Sequence, residues 1–267
     1  MSAVLAAPSA LSGVPEPSAR NIAVRVIPGA ERALRKGHPW LFAGSIREQS
    51  REGMPGDLAV VFDRKGRFLA VGLYDPHSSI RVRVLQHGEP ASINLEWFVE
   101  KLRVAAAHRA PLREHPPARR TTGYRLVHGE NDGLPGCVVD RYEETLVIKL
   151  YTAAWLPHLP VVLAALSEVA SAQHLVLRLG RAMRERPRHL YGLEDGLVLS
   201  GPPLAAPVLF WENGLRFEAD PICGQKTGFF LDQRENRARV EPPAGGKDVL
   251  NVFAYTGGFS VYGARGG

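Results

Sequence analysis

Cysteine is nearly missing from this chain: its 267 residues include two, Cys137 and Cys223, with no CxxC pair and no histidine spaced to complete a ligand set. That excludes a zinc ribbon or finger and a disulfide framework, and it fits a reducing cytoplasm. Long hydrophobic runs are missing too. No stretch approaches the roughly 20 apolar residues of a membrane span. The first twenty residues, rich in Ala, Ser and Pro, lack the basic start and sustained apolar run of a secretory signal, so residues 1–20 are expected to form a mobile, disordered tail. No repeat of solenoid period is visible, and the GxGxxG dinucleotide fingerprint does not occur.

What is present is an ordinary globular composition, 45% hydrophobic and 22% charged, sufficient for one large domain or two to three small ones. Lys and Arg outnumber Asp and Glu by 33 to 27, a net charge of +6. The balance favours a polyanionic partner without identifying it.

From Ile22 to about Gln86 the pattern is short strands and turns. Leu58 to Phe62 and Phe68 to Tyr74 flank a hairpin turn at Asp63-Arg64-Lys65-Gly66. Ile80 to Leu85 alternates strictly, which sends Ile80, Val82 and Val84 to one face and Arg81 and Arg83 to the other. Just upstream, Arg35 to Phe42 interleaves basic and aromatic residues, a pairing that serves phosphate attraction plus stacking, although Trp40 and Phe42 read better as core residues than as stacking platforms. Asn94 to about Ala110 has helical period, with Leu95, Phe98, Val99, Leu102 and Ala106 in one stripe, ended by Pro111 and Pro116-Pro117. A hairpin follows, Cys137 to Arg141 and Leu146 to Tyr151, then a helix from Pro160 to Ala172 and a strand from Leu175 to Leu179. Asp132, Asp140, Glu143 and Glu144 lie in turn contexts, which accounts for them without acid–base chemistry. Arg178, Arg181, Arg184, Arg186 and Arg188 form either a solvated face or an RNA-facing loop.

Beyond Pro207 the chain restarts with strands Val208 to Trp211 and Leu215 to Glu218 around Glu212-Asn213-Gly214. Gly224 to Arg237, GQKTGFFLDQRENR, leads into a helix from Asp232 to Val240, and Glu241 to Lys247 is a Pro/Gly-rich break. Asp248 to Gly258, DVLNVFAYTGG, then reads as a buried strand, Val249 to Phe253, a turn at Thr256-Gly257-Gly258, and a helix from Phe259 to Ala264. Side-chain-free backbone at such a strand-to-helix turn lets a cofactor lie against the chain. Gly263 is a poor helix former within that last helix, at a cost of up to about 1 kcal/mol.

The two segments together resemble the start of the catalytic domain of class I S-adenosylmethionine-dependent RNA methyltransferases, in the large-subunit ribosomal RNA cytosine-C5 methyltransferase family. The matching residues are Gln225, Lys226, Thr227, Gly228, Phe229, Phe230, Asp232, Arg234 and Asn236, then Asn251, Phe253, Tyr255, Thr256, Gly257 and Gly258. KGHPWLFAGSI and GLYDPHSSIRVRVL are similar to that family's N-terminal PUA barrel, and RLVHGENDGLPGCVVDRY to its central module. The resemblance implies an α+β N-terminal part, a PUA β-barrel at 21–92 and a central α+β module at 93–204. The start of an α/β Rossmann-like methyltransferase domain follows at 205–267. It implies S-adenosylmethionine as cofactor, held by Gln225, Thr227, Asp232, Gln233, Arg234, Asn251, Phe253, Tyr255, Thr256, Gly257 and Gly258. It further implies ribosomal RNA as partner through Lys36, His38, Arg81 or Arg83, a cytoplasmic location, no metal, and leaves a homodimer open.

Carbon 5 of cytosine is a poor nucleophile until a cysteine thiolate adds at carbon 6. Cys223 reads as a packing residue and the resemblance places the catalytic cysteine later, so no catalytic residue is expected within this chain. Nine residues follow Gly258, too few for the remaining strand–helix units. The chain is therefore expected to be a truncated form, inactive alone, with poor order beyond about Ala205. Two other readings share the visible residues: a non-catalytic RNA-binding protein with a remnant cofactor domain, and a methyltransferase for another RNA base.

Overall fold

A computed structural model describes residues 9–114, 116–204 and 207–267. The first sheet is built from Ile22–Val26 (β1), with helix Pro28–Arg35 (α1) after it, then Trp40–Phe42 (β2), Ile46–Gln49 (β3), Leu58–Phe62 (β4), Phe68–Tyr74 (β5) and Ile80–His87 (β6). The spatial order is β2-β6-β5-β4-β1-β3, with β1 parallel to β4 and its other pairs antiparallel. The period-2 patterns point as the sequence dictates: Ile22, Val24, Val61, Val82 and Val84 face inward onto Leu34 of α1.

The central module is Leu95–Arg113 (α2), Gly123–His128 (β7), Cys137–Tyr142 (β8), Thr145–Leu150 (β9), Leu159–Val169 (α3), His174–Leu179 (β10), Arg181–Arg184 (α4) and Leu197–Ser200 (β11). Its sheet order is β11-β10-β9-β8-β7, and β9, α3 and β10 make a parallel crossover. Asn94 caps α2 by accepting the Trp97 N–H at 3.1 Å. The helix runs three residues past the expected end, with Pro111 inside its last turn, where a missing donor removes one helical hydrogen bond.

The third part comprises Val208–Glu212 (β12), Leu215–Ala219 (β13), Arg234–Ala244 (α5) and Gly258–Gly266 (α6). Asn213 and Gly214, both with positive φ, turn the β12–β13 hairpin. Phe210 and Phe217 of that hairpin pack with Phe229 and Tyr262 onto Tyr142, Val147 and Val176, the face of the central sheet opposite α2 and α3.

Four expectations are corrected. Residues 9–20 are not all tail, because Leu11 is buried in the central core and the Ser18 N–H donates to Asp57; residues 1–8 lie outside the described residues. Helix α5 continues through Pro242 and Pro243 to Ala244, into the expected break. Poor order beyond Ala205 does not describe residues 207–244, whose hairpin and helix join the aromatic cluster; 205 and 206 are outside the described residues. Residues 249–253 form no strand. A strand needs ladder partners, none of the described strands runs beside this segment, and Leu250 and Phe253 stand 87% and 99% exposed.

The outer face of the first sheet does not meet solvent throughout. Leu73 and Leu85 belong to the central core, Thr152 Oγ1 donates to Asp75 Oδ2 at 2.6 Å, and His158 Nε2 lies 2.7 Å from the Gly56 carbonyl. Gly56 has φ +95°, and a Cβ there would stand 2.6 Å from Pro157 Cγ, so this close approach requires glycine. The first sheet and central module therefore share one interior. Among the described residues no helix is long and apolar enough to cross a membrane.

Burial depresses the His158 pKa, outweighing its hydrogen bond to Gly56 and the nearby Asp57. The folded protein thus holds His158 neutral where the unfolded chain, with an ordinary pKa of about 6.5, takes up a proton. Stability gained from this site is present above about pH 6.5 and falls as the pH drops below it. Urea denaturation at pH 7.5 and 5.5 should show the loss, and His158→Gln should flatten it; an unchanged slope in the variant would place the effect elsewhere.

Candidate cofactor pocket and RNA-facing residues

A pocket of about 300 Å³ opens between the start of α5 and the turn into α6, lined by Phe229, Phe230, Gln233, Arg237, Phe253, Ala254, Tyr255, Thr256, Gly258 and Phe259. Its floor is fixed electrostatically. Arg237 Nε and Nη2 donate to the two oxygens of Glu212 at 2.7 and 2.6 Å, with both residues buried. Arg237 also donates to the Phe230 carbonyl and lies 4.7 Å from the Phe229 ring centre. Tyr262 OH donates to Glu212 Oε1 at 3.2 Å, which ties α6 to the same carboxylate. Burial, reinforced by Glu212, pushes the Tyr262 phenol well above its ordinary pKa, so it remains a donor.

The walls are aromatic. Phe230 and Tyr255 meet edge to face at 5.1 Å. Phe253 and Tyr255 both have left-handed φ, as does Gly257 at the N-cap of α6. Such conformations in non-glycine residues cost on the order of 1–3 kcal/mol each and concentrate at ligand sites.

Of the residues expected to hold the cofactor, Gln233, Phe253, Tyr255, Thr256 and Gly258 line this pocket, and Gly257 caps the helix beside it. The other five lie away from it. Thr227 is buried elsewhere, its Oγ1 donating to Asp140 Oδ2 at 2.6 Å and lying 3.0 Å from Tyr142 OH. Gln225 stands exposed in the turn, where its carbonyl accepts the Gly228 N–H. Asp232 is exposed and pairs with Lys226 at 3.3 Å; partial burial works against its ionisation, but the ammonium outweighs it and holds the carboxyl below its ordinary range. Arg234 pairs with Glu235 and borders a separate hollow with Ala118 and Arg265. Asn251 Nδ2 donates to Ser260 Oγ, fastening the loop to α6.

Phe229, Phe230, Arg237, Ala254 and Phe259 line the pocket without having been singled out for it. The aromatic pair was visible in GQKTGFF; Arg237 was not, because its partner Glu212 lies 25 residues upstream. The glycine argument also changes position. A Cβ at Gly257 meets nothing within 4 Å and the constraint there is φ +74°, whereas a Cβ at Gly258 would stand 3.0 Å from Arg237 Cδ.

The segment from Pro221 to Thr227 is clamped to the central sheet. Asp140 takes Arg125 Nε and Nη2 at 2.8 and 3.0 Å besides Thr227, and Arg178 donates to the carbonyls of Pro221 and Gly224. Arg178 is thus structural, whereas Arg181, Arg184, Arg186 and Arg188 are exposed. Cys137 is buried, with its thiol pushed up to about 12, and is inert at neutral pH.

Of the basic residues expected to meet RNA, Lys36 and His38 are exposed beside Trp40 and Phe42, whose rings lie 6.0 and 6.3 Å from that of His38. Trp40 is held by a 3.0 Å hydrogen bond from Nε1 to Glu130. Arg81 is half-buried over the Tyr74 ring. Arg83 is buried, on the sheet face that meets the central module.

Residues 24–87 match a PUA-like domain, and residues 125–267 match the S-adenosylmethionine-dependent methyltransferase family. The chain belongs to that methyltransferase family. It is 53% identical to a ribosomal RNA large subunit methyltransferase of Deinococcus radiodurans, over 95% of this chain and 62% of that protein. It is 38% identical to ribosomal RNA large subunit methyltransferase I of Photobacterium profundum, over 91% and 60%. A solved Streptococcus mutans structure described as a SAM-dependent methyltransferase superposes with TM-score 0.75 at 23% identity, over 92% of this chain and 61% of that one. The chain thus spans about three fifths of the length of the curated relatives it matches. This methyltransferase chain combines a PUA-like domain with mixed sheets and helices of the α+β methyltransferase fold, as its sequence leads one to expect.

The buried pair predicts a sharp asymmetry. Glu212→Gln leaves the Arg237 charge uncompensated and should destabilise the protein by roughly 3–5 kcal/mol, while Asp232→Asn, at an exposed pair, should cost less than about 1 kcal/mol. Chemical denaturation of both variants checks this; equal effects would remove Glu212–Arg237 as the anchor of the pocket.

Proposed function

We propose that the chain forms the RNA-recruiting part and the beginning of the cofactor site of a large-subunit ribosomal RNA methyltransferase, with cytosine carbon 5 the preferred target. The observation that carries this reading is the pocket itself: a glycine-turned helix start, aromatic walls and a buried arginine, in a chain whose family uses S-adenosylmethionine. Gln233, Phe253, Tyr255, Thr256 and Gly258 fit the methionine portion of that cofactor, with backbone N–H groups at the start of α6 available to its carboxylate. S-adenosylmethionine supplies an electrophilic methyl group when bound; these residues orient it and keep water from it.

RNA is assigned to the basic surface of the first sheet, with Lys36 and His38 beside a rigid aromatic step. The proposed setting is cytoplasmic. The names of the relatives support ribosomal RNA as the substrate class. Among the described residues lining the pocket there is no carboxylate to hold the ribose hydroxyls, so we expect the 267 residues alone to bind cofactor weakly and not to turn over.

Two measurements test the reading. Calorimetry with S-adenosylmethionine should show weak binding that Gly258→Val abolishes, because the added side chain displaces Arg237 and closes the pocket. Methyl incorporation into large-subunit RNA lacking the modification should stay at background for this chain. Normal cofactor affinity in the variant would overturn the pocket assignment, and turnover by the 267-residue chain would overturn the expectation of inactivity.

A further inference from the structure

Between the first sheet and the central module lies a cavity of about 230 Å³ lined by Asp75, His77, Arg83, Tyr151, Arg186 and His189, among others. Arg83 is 7% exposed, yet its guanidinium is little used. Nη1 donates to the Ile80 carbonyl at 3.2 Å, and the nearest carboxylate, Asp75, stands 3.9 Å away. Asp75 is engaged by its own surroundings: Oδ2 accepts from Thr152 at 2.6 Å and Oδ1 from the His77 N–H at 3.0 Å. At 3.9 Å Asp75 is a loose partner for so buried a cation, and the cavity leaves room for a closer anion. At the rim Arg186 donates to the His77 carbonyl, and the His77 and His189 rings stack at 4.3 Å.

The rim leads toward the cofactor pocket. Tyr151 is 48% exposed, with Lys149 Nζ 5.8 Å from its ring centre. Lys149 donates to the Lys226 carbonyl at 2.7 Å, and Lys226 Nζ stands 5.0 Å over Phe230, a wall of that pocket. From Tyr151, on the wall of the Arg83 cavity, contacts thus run through Lys149 and Lys226 to Phe230 at the wall of the second pocket.

We propose that this line is the track of a single RNA strand, with one phosphodiester seated in the Arg83 cavity and an adjacent base stacked on Tyr151. The planar fork of Arg83 suits two phosphate oxygens at once, Arg186 closes over them from the rim, and Lys149 and Lys226 meet the following phosphates. The assignment rests on the RNA substrate proposed above and adds to it the path of the strand. It also explains why an arginine stands on a strand face that is otherwise packed against another module.

The test is fluorescence anisotropy of the full chain with a single-stranded RNA of about ten nucleotides, at several salt concentrations. Arg83→Gln should weaken binding at least ten-fold and lower the slope of log affinity against log salt by about 0.7 for the lost phosphate contact. Arg186→Ala and Tyr151→Ala, both at exposed positions, should each weaken it about five-fold or more and serve if Arg83→Gln fails to fold, as judged by thermal melting. Arg47→Ala, on the distant edge strand β3, controls for general loss of charge. If wild type binds RNA and the Arg186 and Tyr151 variants match it, the track is wrong while the RNA reading stands. If wild type does not bind RNA, both fail. Inorganic phosphate protecting wild type but not Arg186→Ala against melting, with RNA affinity equal in the two, would make the cavity a free-anion site and also overturn the track.

Discussion

The third part of the molecule hangs on one buried ion pair. Glu212 and Arg237 are 0% and 3% exposed, bonded through both carboxylate oxygens. Removing two charges from water costs several kcal/mol per ion, recovered only when every remaining polar atom is met. Here the surplus is met: Arg237 reaches the Phe230 carbonyl, and Glu212 takes the Tyr262 hydroxyl. The pair therefore requires β12, α5, α6 and the GQKTGFF segment to be in register at once. The pocket is the space those four elements leave.

A second polar hub secures that assembly to the central sheet. Asp140, fully buried on β8, is shared by Arg125 and Thr227, and Arg178 of β10 grips the carbonyls of Pro221 and Gly224 just upstream of Thr227. The central module is thus more than a spacer. Its outer face carries the apolar platform for Phe210 and Phe217 together with the charged groups that set where Pro221 to Thr227 lie. Thr227, which motif resemblance places at the cofactor, is bonded into this anchorage through Asp140.

Elements defined by local pattern were legible in the sequence almost residue for residue. The hairpin β4–β5 falls where the alternation and the Asp63–Gly66 turn put it, and β12 and β13 each extend the reading by one residue at the C-terminal end. What stayed illegible was whatever depends on distant partners. Val249 to Phe253 has the composition of a buried strand, but a strand is a property of a ladder, and no described strand offers it one. Gln233, Phe253, Tyr255, Thr256 and Gly258 were legible because they crowd a single turn. Arg237 and Phe259 were not, since only the α5–α6 packing brings them to the same space.

Arg83 shows how the division into modules hid function. Alternation along Ile80 to Leu85 assigns it correctly to the face opposite Val82 and Val84, but treating the sheet as a free-standing barrel makes that face solvent. In the folded chain Leu73 and Leu85 on that face complete the central core, so the face is an internal boundary. Apolar residues at such a boundary need no explanation beyond area removed from water. A guanidinium does, because burying it without full compensation opposes the folding of both modules. The boundary holds a cavity where it might have been filled by packing, and Arg83 is placed at that cavity's wall. A charge retained against its own desolvation, at the junction of two modules, is the kind of residue whose role lies in what it meets from outside the chain.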